Sequence, residues 1–275
     1  AFGLGFDEVD ALTGPRIGRP KSATYRTADV VGLDTLAHVV KTMQDTLPGD
    51  PWHAHFKTPD WLSALIAKGA LGQKTRCGIF RKQGRDIQVL DVGMQDYRNS
   101  AGAIADEVGE ILKIRNPAEK FAALRASAHP QGQFLWAIFR DIFHYAAVHL
   151  ENVADNARDL DLAMRWGFGW AQGPFETWQA AGWADTAQAI AADIAAGKAM
   201  SAAPLPGWAL EAGRAGVHTP QGSYSASRNA YAARSALPVY QRQLFPERVL
   251  GEGAANPEKS GETLYENDGV RLWKL

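Results

Sequence analysis

Cysteine and long apolar runs are both scarce in this sequence. Its one cysteine, Cys77, has no second thiol in the chain with which to form a disulfide. Because disulfides are rare in reducing compartments, this usage predicts a cytoplasmic location. No apolar run approaches the ~20 residues that a membrane-spanning helix needs, so we expect no membrane span.

An excess of charge of either sign is also missing. The chain carries 29 basic and 30 acidic side chains, and no run or stripe of basic residues stands out. Proteins that bind nucleic acids show clustered Lys and Arg on one face. The sequence therefore predicts no nucleic-acid partner.

Apolar and aromatic residues, by contrast, are abundant and follow a helical period. Hydrophobic residues make up 46% of the 275, with nine Trp and eleven Phe, which is ample for a sizeable core. Gly32 predicts the end of one helix, and Asp34 predicts the N-cap of the next. That next helix has an apolar stripe at three- and four-residue spacing, formed by Leu33, Leu36, Ala37, Val40 and Met43.

The most informative feature is a segment that occurs twice. Residues 14–35 and 169–186 each read as a loop, a short helix, a glycine stop and a second helix. In the second copy, Pro174 predicts the first turn of the short helix, Gly182 the stop and Asp185 the cap. Two copies of one supersecondary unit indicate an internal duplication.

Other segments extend the duplication. Residues 61–80 match residues 207–224 in order, as a helix, a glycine turn and a short glycine–aromatic extension. Residues 134–150 are apolar nearly all round, which is typical of the central helix of a bundle, and the first copy has no equivalent before it. A hairpin is expected around Gln83 and Gly84.

These patterns predict an all-α protein of two tandem duplicated helical bundles with an irregular C-terminal extension. The first unit is placed at residues 1–91 and the second, degenerate unit at residues 131–225. Residues 92–130 form a connecting helical segment. Residues 226–275 gather Gly, Pro and charge, which predicts a linker.

Both ends of the sequence read as interrupted elements. The chain begins without Met in a turn entering a helix, and residues 269–275 alternate like a first strand with nothing to pair against. We therefore expect an excerpt from a longer polypeptide, with the first unit truncated at its N-terminus. Natural, ragged termini are the alternative.

No complete catalytic or metal-binding constellation is visible in the residues. His53 and His55 could share a metal on a strand, but no third ligand follows at a suitable spacing, so no metal is expected. His144 and His149 lie five apart on a helix and do not share a face, so both read as structural histidines. Cys77 has no obvious base partner.

Two groups of cations leave their roles open. Arg16, Arg19 and Lys21 form a compact basic loop beside Pro20. This loop could meet the phosphates of a large anionic ligand or could be a solvated turn, and the solvated turn is favoured. Lys74 is a single cation at a glycine-flanked turn, and chemistry alone assigns it no role.

The sequence resembles the helical C-terminal region of the 3-hydroxyacyl-CoA dehydrogenase family. The resemblance covers roughly residues 1–225 and rests on residues 14–34, 72–80 and 160–182. Residues 161–176 read DLAM followed by RWGFGWAQGPFE, similar to the family's Asp-x-x-Met helix, glycine turn and Gly-Pro-Phe-Glu motif. The longer, multifunctional β-oxidation members of the family carry such units in tandem.

The resemblance implies a fold of the 6-phosphogluconate dehydrogenase C-terminal-like type and a part in NAD-dependent oxidation of 3-hydroxyacyl-CoA to 3-oxoacyl-CoA. In that family an upstream Rossmann domain binds NAD and supplies a catalytic His–Glu pair, and an Asn lies on the first helix of the C-terminal unit, which we expect to start before Ala1. None of the three is assigned in this chain, so we expect it to be inactive alone. In the second unit the Asn position falls near Trp136 and Ala137, which predicts no catalytic site there.

One family position is carried over to this chain. The resemblance places Lys74, within residues 72–75, close to the bound NAD, and gives the second unit His218 or Thr219 in its place. The implied partners are the upstream Rossmann domain, an acyl-CoA substrate and a downstream enoyl-CoA hydratase module, whose opening strand residues 269–275 resemble. A thiolase subunit is a further candidate partner.

Two other functions stay open from the sequence. A non-catalytic helical module that serves assembly would also have long apolar helices and many Trp. A member of the wider helical superfamily acting on a different hydroxy acid is the other alternative, which the paired Gly-Pro-Phe-Glu-type motifs disfavour.

Overall fold

The computed structural model describes residues 2–234, 236, 262–266 and 271–274. Helices dominate these residues, which confirms the predicted helical class, although the all-α expectation did not include three small sheets. The ten α-helices are α1 (Phe6–Leu12), α2 (Tyr25–Val31), α3 (Leu33–Thr46), α4 (Asp60–Ala67), α5 (Asp106–Lys113), α6 (Pro117–Ala126), α7 (Pro130–Val153), α8 (Ala157–Phe168), α9 (Pro174–Ala180) and α10 (Trp183–Ala195).

Short antiparallel strands accompany the helices. They are β1 (Phe80–Gln83), β2 (Asp86–Asp91), β3 (Asp96–Asn99), β4 (His218–Thr219), β5 (Gly222–Ser225), β6 (Ala230–Ala233), β7 (Glu262–Glu266) and β8 (Arg271–Lys274). One sheet has the order β1–β2–β3, a second has the order β4–β5–β6, and β7 pairs with β8. The hairpin expected around Gln83 and Gly84 is present, because Gln83 pairs with Asp86.

The connecting segment, residues 92–130, begins differently from the expectation. Its first part contains β3, which pairs with β2 through Leu90 and Tyr97, so the sheet of the first unit continues beyond residue 91. The helices that follow, α5 and α6, are as expected for a helical bridge. A four-residue polar strand shows no clear alternation, and only its partner strand reveals it.

The C-terminal expectations need two corrections. The linker predicted for residues 226–275 is wrong for residues 230–233, which form β6 and pair with β5, and for residues 262–266, which form β7. The final strand was expected to have nothing to pair against, yet residues 271–274 form β8 and pair with β7. Half of the predicted linker, residues 237–261, lies in one run outside the described residues.

The helix boundaries follow the glycines more closely than the acids. Helix α3 begins at Leu33 and α10 at Trp183, each directly after a glycine with positive φ, 102° at Gly32 and 88° at Gly182. Asp34 and Asp185 therefore lie in the first turns of their helices and are not the N-caps that were predicted. There each carboxylate still faces the positive end of the helix dipole.

Two hydrophobic cores hold the described chain together. The smaller core lies in the first unit and includes Phe6, Leu33, Leu62, Ile79 and Val89. The larger core surrounds α7 and extends through α9 and α10 to β5. Helix α1 joins the two, because Phe6 belongs to the smaller core and Leu12 to the larger.

Candidate functional site

Asp10 fixes the start of the short helix in the first copy of the duplicated motif. Its carboxylate accepts hydrogen bonds from the backbone N–H groups of Thr24 (3.1 Å), Tyr25 (2.6 Å) and Arg26 (2.9 Å). These are amides at the N-terminus of α2, which have no partners within the helix. A carboxylate about fifteen positions away in the sequence thus caps α2 and binds α1 to it.

Asp29, on the last turn of α2, holds the glycine turn that leads into β1. Its two carboxylate oxygens accept from the N–H groups of Ile79 and Phe80, both at 2.8 Å. Burial raises the pKa of Asp29, against the lowering effect of these two donors. Gly78 lies against the same carboxylate, and a Cβ at that position would overlap Asp29 Oδ1.

The hydrogen bonds of Asp10 to the start of α2 and of Asp29 to the turn before β1 form a backbone frame. This frame presents Lys74 at the surface of the first unit. The ammonium group of Lys74 donates to both oxygens of Asp34, at 2.6 and 2.7 Å, and the two side chains are 48% and 42% exposed. The hydrogen bond from Lys74 lowers the pKa of Asp34. A Cβ on Gly32 would approach Lys74 Nζ to 3.2 Å, so the glycine leaves room for the pair.

The second unit repeats the same backbone frame. Asp161 accepts from the N–H groups of Phe175 (2.9 Å) and Glu176 (3.0 Å), as Asp10 does in the first copy. Gln179 Oε1 accepts from the N–H groups of Val217 and His218, both at 2.9 Å, as Asp29 does from Ile79 and Phe80.

Glycines and helix lengths match as well. A Cβ on Gly216 would overlap Gln179 Oε1, just as a Cβ on Gly78 would overlap Asp29 Oδ1. Helices α2 and α9 have seven residues each, and Gly32 and Gly182 follow them. The repeat seen in the sequence is therefore a repeat of hydrogen bonds and of close approaches.

His218 is the structural counterpart of Phe80, not of Lys74. Its Nε2 lies 2.8 Å from Asp161 Oδ2 and its Nδ1 lies 2.9 Å from Ser223 Oγ, and all three residues are buried. Burial raises the pKa of Asp161, and the hydrogen bond from His218 acts in the opposite direction. The alignment of His218 with Lys74 is thus corrected, and this histidine faces the interior.

The basic loop is only partly a solvated turn. Arg16 is exposed, but the guanidinium of Arg19 lies 4.4 Å from the ring centroid of Trp170. Burial lowers the pKa of Arg19 to about 10. Beside this contact the N–H of Ala171 donates to the carbonyl of Gly18 at 2.8 Å. The loops of the two motif copies therefore meet, and Arg19 belongs to their contact.

The remaining histidines are not brought together. His53 Nδ1 donates to the Leu47 carbonyl (2.9 Å), while His55 Nε2 donates to the Met200 carbonyl (2.7 Å), so the two rings point to different segments. His144 Nε2 donates to the Ala203 carbonyl at 2.7 Å, and burial lowers its pKa. His149 lies 3.3 Å from an Asp50 oxygen.

Cys77 also has a structural role, and so do Trp136 and Ala137, which occupy the position of the family's Asn. Cys77 Sγ lies 3.4 Å from the hydroxyl of Tyr97, which donates to the Gly78 carbonyl. Trp136 Nε1 donates to Asp193 (2.8 Å), and Ala137 is buried. These residues connect α7 with α10 and offer no side chain for chemistry.

The described part of the chain lacks two further kinds of feature. No group of three or more His, Cys, Asp or Glu side chains in it is placed to hold a metal ion. No helix in it is long and apolar enough to cross a membrane.

Comparison with known proteins finds similar chains in one family. A family model described as "3-hydroxyacyl-CoA dehydrogenase, C-terminal domain" matches residues 3–82. A Bacillus subtilis protein named "Probable 3-hydroxyacyl-CoA dehydrogenase" is 37% identical over 204 residues, which are 74% of this chain and 25% of that protein. A Deinococcus radiodurans protein of the same name is 41% identical over 81 residues, 30% of this chain and 22% of its own.

A more distant relative carries a different name. A Rickettsia felis protein, whose name describes a fatty acid oxidation complex trifunctional enzyme, is 24% identical over 178 residues, 63% of this chain and 23% of that protein. The chain thus spans about a quarter of the length of the curated relatives it matches. No solved structure matches it significantly.

Proposed function

Because this chain belongs, through its helical C-terminal region, to the 3-hydroxyacyl-CoA dehydrogenase family, we propose that it is the helical part of an NAD-dependent dehydrogenase. The reaction would be oxidation of 3-hydroxyacyl-CoA to 3-oxoacyl-CoA in fatty-acid β-oxidation. The observation that carries this proposal is the Lys74–Asp34 pair, which the Asp29 frame presents on the surface within the matched residues 3–82.

Lys74 fits a role beside an anionic cofactor. Its ammonium group is about half exposed, so an incoming phosphate can reach it, and Asp34 holds it in place until then. Replacing one anionic partner with another keeps the charge paired. NAD itself would accept the hydride from the hydroxyl carbon of the substrate, and this chain would contribute positioning of the cofactor.

The second unit would act as support. It repeats the frame, but at the position of Phe80 it carries the buried His218, which is engaged with Asp161 and Ser223. Its motif loop contacts the loop of the first unit through Arg19, Trp170, Gly18 and Ala171. The second unit would thereby replace the surface that a partner subunit provides in shorter, dimeric members of the family.

An uncovered apolar face in the first unit supports an upstream partner. In the second unit α7 covers α9 and α10, with Phe143 stacked on Trp178 and with Arg140 paired with Asp193. At the end of α9, Ala181 is 2% exposed, while its counterpart Val31 is 54% exposed. We propose that a segment of the upstream dinucleotide-binding part, close to its junction with this chain, packs on α2 and α3.

Reconstitution tests the enzymatic proposal. The 275-residue chain alone, given NAD and 3-hydroxybutyryl-CoA, is expected to form no NADH. The same chain mixed with, or joined to, an upstream Rossmann part is expected to restore NADH formation. Turnover by the chain alone, or full activity of the upstream part without it, would refute the proposed division of labour.

A non-catalytic assembly role is the second candidate, and one observation favours it. Trp166 and Phe168, near the end of α8, are 70% and 63% exposed. Large exposed aromatic residues commonly mark protein contacts. The two roles separate in the reconstitution: an assembly module would leave the activity of the upstream part unchanged and alter only its oligomeric mass.

Further partners remain part of the proposal. The name of the Rickettsia relative describes a trifunctional enzyme, which supports a multidomain polypeptide. A hydratase module and a thiolase subunit are the partners that we propose. A dimer of the intact parent, joined through the helical units, would count against the supporting role of the second unit. The solution mass of the parent measures this directly.

A further inference from the structure

A cavity of about 200 Å³ lies where the two units and the connecting helices meet. Its lining includes the motif loop of the first unit, at Arg16 to Gly18, and Ala171 and Ala180 of the second unit. Residues of α5 and α6 also line it. Neither Lys74 nor Asp34 lines it, so the proposed cofactor contact leaves this cavity unexplained.

The inner end of the cavity is apolar. Phe121 and Phe139 pack edge to face with ring centroids 4.9 Å apart, and Leu124 lies beside them. All three are 8% exposed or less. Such a surface favours a hydrocarbon chain over water, because water finds no hydrogen-bond partners there.

The outer end carries two cations, Arg16 and Lys120. Lys120 is half-buried, and burial lowers its pKa, with no opposing effect from a nearby carboxylate. No carboxylate in the described part of the chain forms an ion pair with either side chain. A partly desolvated ammonium group without an anion is unfavourable, and an anionic ligand would relieve this.

We propose that this cavity binds an amphipathic monoanion, namely a short-chain carboxylate whose alkyl chain lies on Phe121, Leu124 and Phe139 and whose carboxylate meets Lys120 and Arg16. The volume of about 200 Å³ is about seven times the ~30 Å³ that one water molecule occupies in the liquid. Hexanoate is close to this size. This site goes beyond the proposed function, because it requires neither NAD nor the upstream part.

Binding there would tie the two units together. The walls include Gly18 and Ala171, whose backbone hydrogen bond joins the two motif loops. A ligand that contacts residues of both units binds the folded arrangement and not the unfolded chain, so it stabilises the fold by RT ln(1 + [L]/Kd) and raises the melting temperature.

Calorimetry and thermal unfolding of the 275-residue chain with hexanoate test the proposal. Hexanoate is expected to bind and to raise Tm, whereas acetate, which lacks the chain, and hexanol, which lacks the charge, are expected to bind at least about tenfold more weakly. Equal affinity for hexanol and hexanoate, or no binding of hexanoate, would overturn the proposal.

Two variants and one control locate the site. Lys120→Gln removes the half-buried cation and is expected to weaken hexanoate binding about tenfold, and Ala180→Leu fills the cavity and should abolish binding. Lys113→Gln, on an exposed lysine paired with Glu110, should leave binding unchanged. Circular dichroism checks that each variant folds. Hexanoate binding that survives Ala180→Leu in a folded variant would place the ligand elsewhere.

Discussion

Asp7 is the clearest single carboxylate with which to test the electrostatics of the first unit. It is buried, and Arg98 donates to both of its oxygens at 2.8 and 2.9 Å, while the Ala101 N–H adds a third bond. Burial alone would raise its pKa, but these donors together lower it to about 2 from the ordinary 3.8. The charged form is therefore the one that stabilises the fold.

Asp7→Asn should remove a pH-dependent part of the stability. A lowered pKa in the folded state means that the stabilisation is present above about pH 4 and is lost as the pH falls towards about 2. Its size is about 2 kcal/mol, from ~1.4 kcal/mol for each pKa unit. Urea unfolding at neutral pH and at acid pH measures it, and the gap between wild type and variant should narrow at low pH. A gap independent of pH would contradict this account.

Gly78→Ala should test the close approach between Gly78 and the Asp29 carboxylate. A Cβ there would overlap the Asp29 carboxylate and Gly72 Cα, and such overpacking costs about 1–3 kcal/mol. Gly109→Ala is the matched control, because nothing lies within 4 Å of its Cβ position inside α5. That change should stabilise by up to ~1 kcal/mol through helix propensity. Denaturant unfolding of both variants decides, and equal effects would contradict the structure.

Among the elements, the junctions between α2 and β1 and between α9 and β4 form a natural pair. Asp29 and Gln179 are different residues that accept from equivalent pairs of amides. Either chemistry satisfies the two buried N–H groups, so the duplication could drift at this position without losing the frame. The hydrogen-bonding role, not the residue type, is what the two copies share.

Asp29→Ala and Gln179→Ala should each act locally. Without its acceptor, Asp29→Ala leaves the amides of Ile79 and Phe80 unpaired at about 1–3 kcal/mol, so their hydrogen exchange should accelerate. Gln179→Ala should do the same for Val217 and His218. Exchange measured by NMR in both variants tests this. If either variant accelerated exchange in the other unit instead, the two frames could not be independent.

The elements that have a local sequence pattern were predictable from the sequence. Helix α7 has a long apolar pattern, Gly32 and Gly182 mark stops, and Pro174 starts α9, as expected. Asp34 and Asp185 were misread as caps, because α3 and α10 begin directly after Gly32 and Gly182 and hold these carboxylates within their first turns. The carboxylates that do cap helices, Asp10 at α2 and Asp161 at α9, lie far away in sequence from the amides they bind. A carboxylate about fifteen residues from the amides it serves leaves no local pattern.

The candidate site was predictable only in part, because its contacts also join residues that are far apart in sequence. The family resemblance alone assigned Lys74 a role, because its glycine-flanked turn gave none, and its pairing with Asp34 spans forty positions and is visible only in the fold. The burial of Arg19 against Trp170 and the contact of His218 with Asp161 likewise arise from packing between distant segments. Strands β3 and β6 were missed because their order depends on neighbouring strands.

At the scale of the whole molecule, the two units differ chiefly in what covers them. Helix α7 buries the second unit, while Val30, Val31 and Val39 of the first unit remain 48–57% exposed. The same supersecondary frame is therefore buried in the second unit and leaves an exposed apolar face in the first. Such a face commonly marks a protein contact, and the proposed upstream part would occupy it.

Val30→Ser combined with Val31→Ser should separate folding from association. Both side chains are already exposed, so unfolding of the 275-residue chain should change by less than ~0.5 kcal/mol. The affinity for the upstream part, measured by calorimetry, should weaken about tenfold or more because apolar area is lost from the contact. A matched change on α4, Ser63→Ala, should affect neither. Unaltered association in the valine variant would show that the upstream part packs elsewhere.

The central claim is that the first unit, through Lys74, meets the cofactor. The most direct measurement is the KM for NAD of the reconstituted enzyme carrying Lys74→Gln, beside Lys41→Gln as control, since Lys41 forms a similar exposed pair with Asp45. The account predicts that Lys74→Gln raises the KM for NAD about tenfold with little change in kcat, and that Lys41→Gln leaves both constants unchanged. An unaltered KM in Lys74→Gln, or an equal rise in Lys41→Gln, would contradict it.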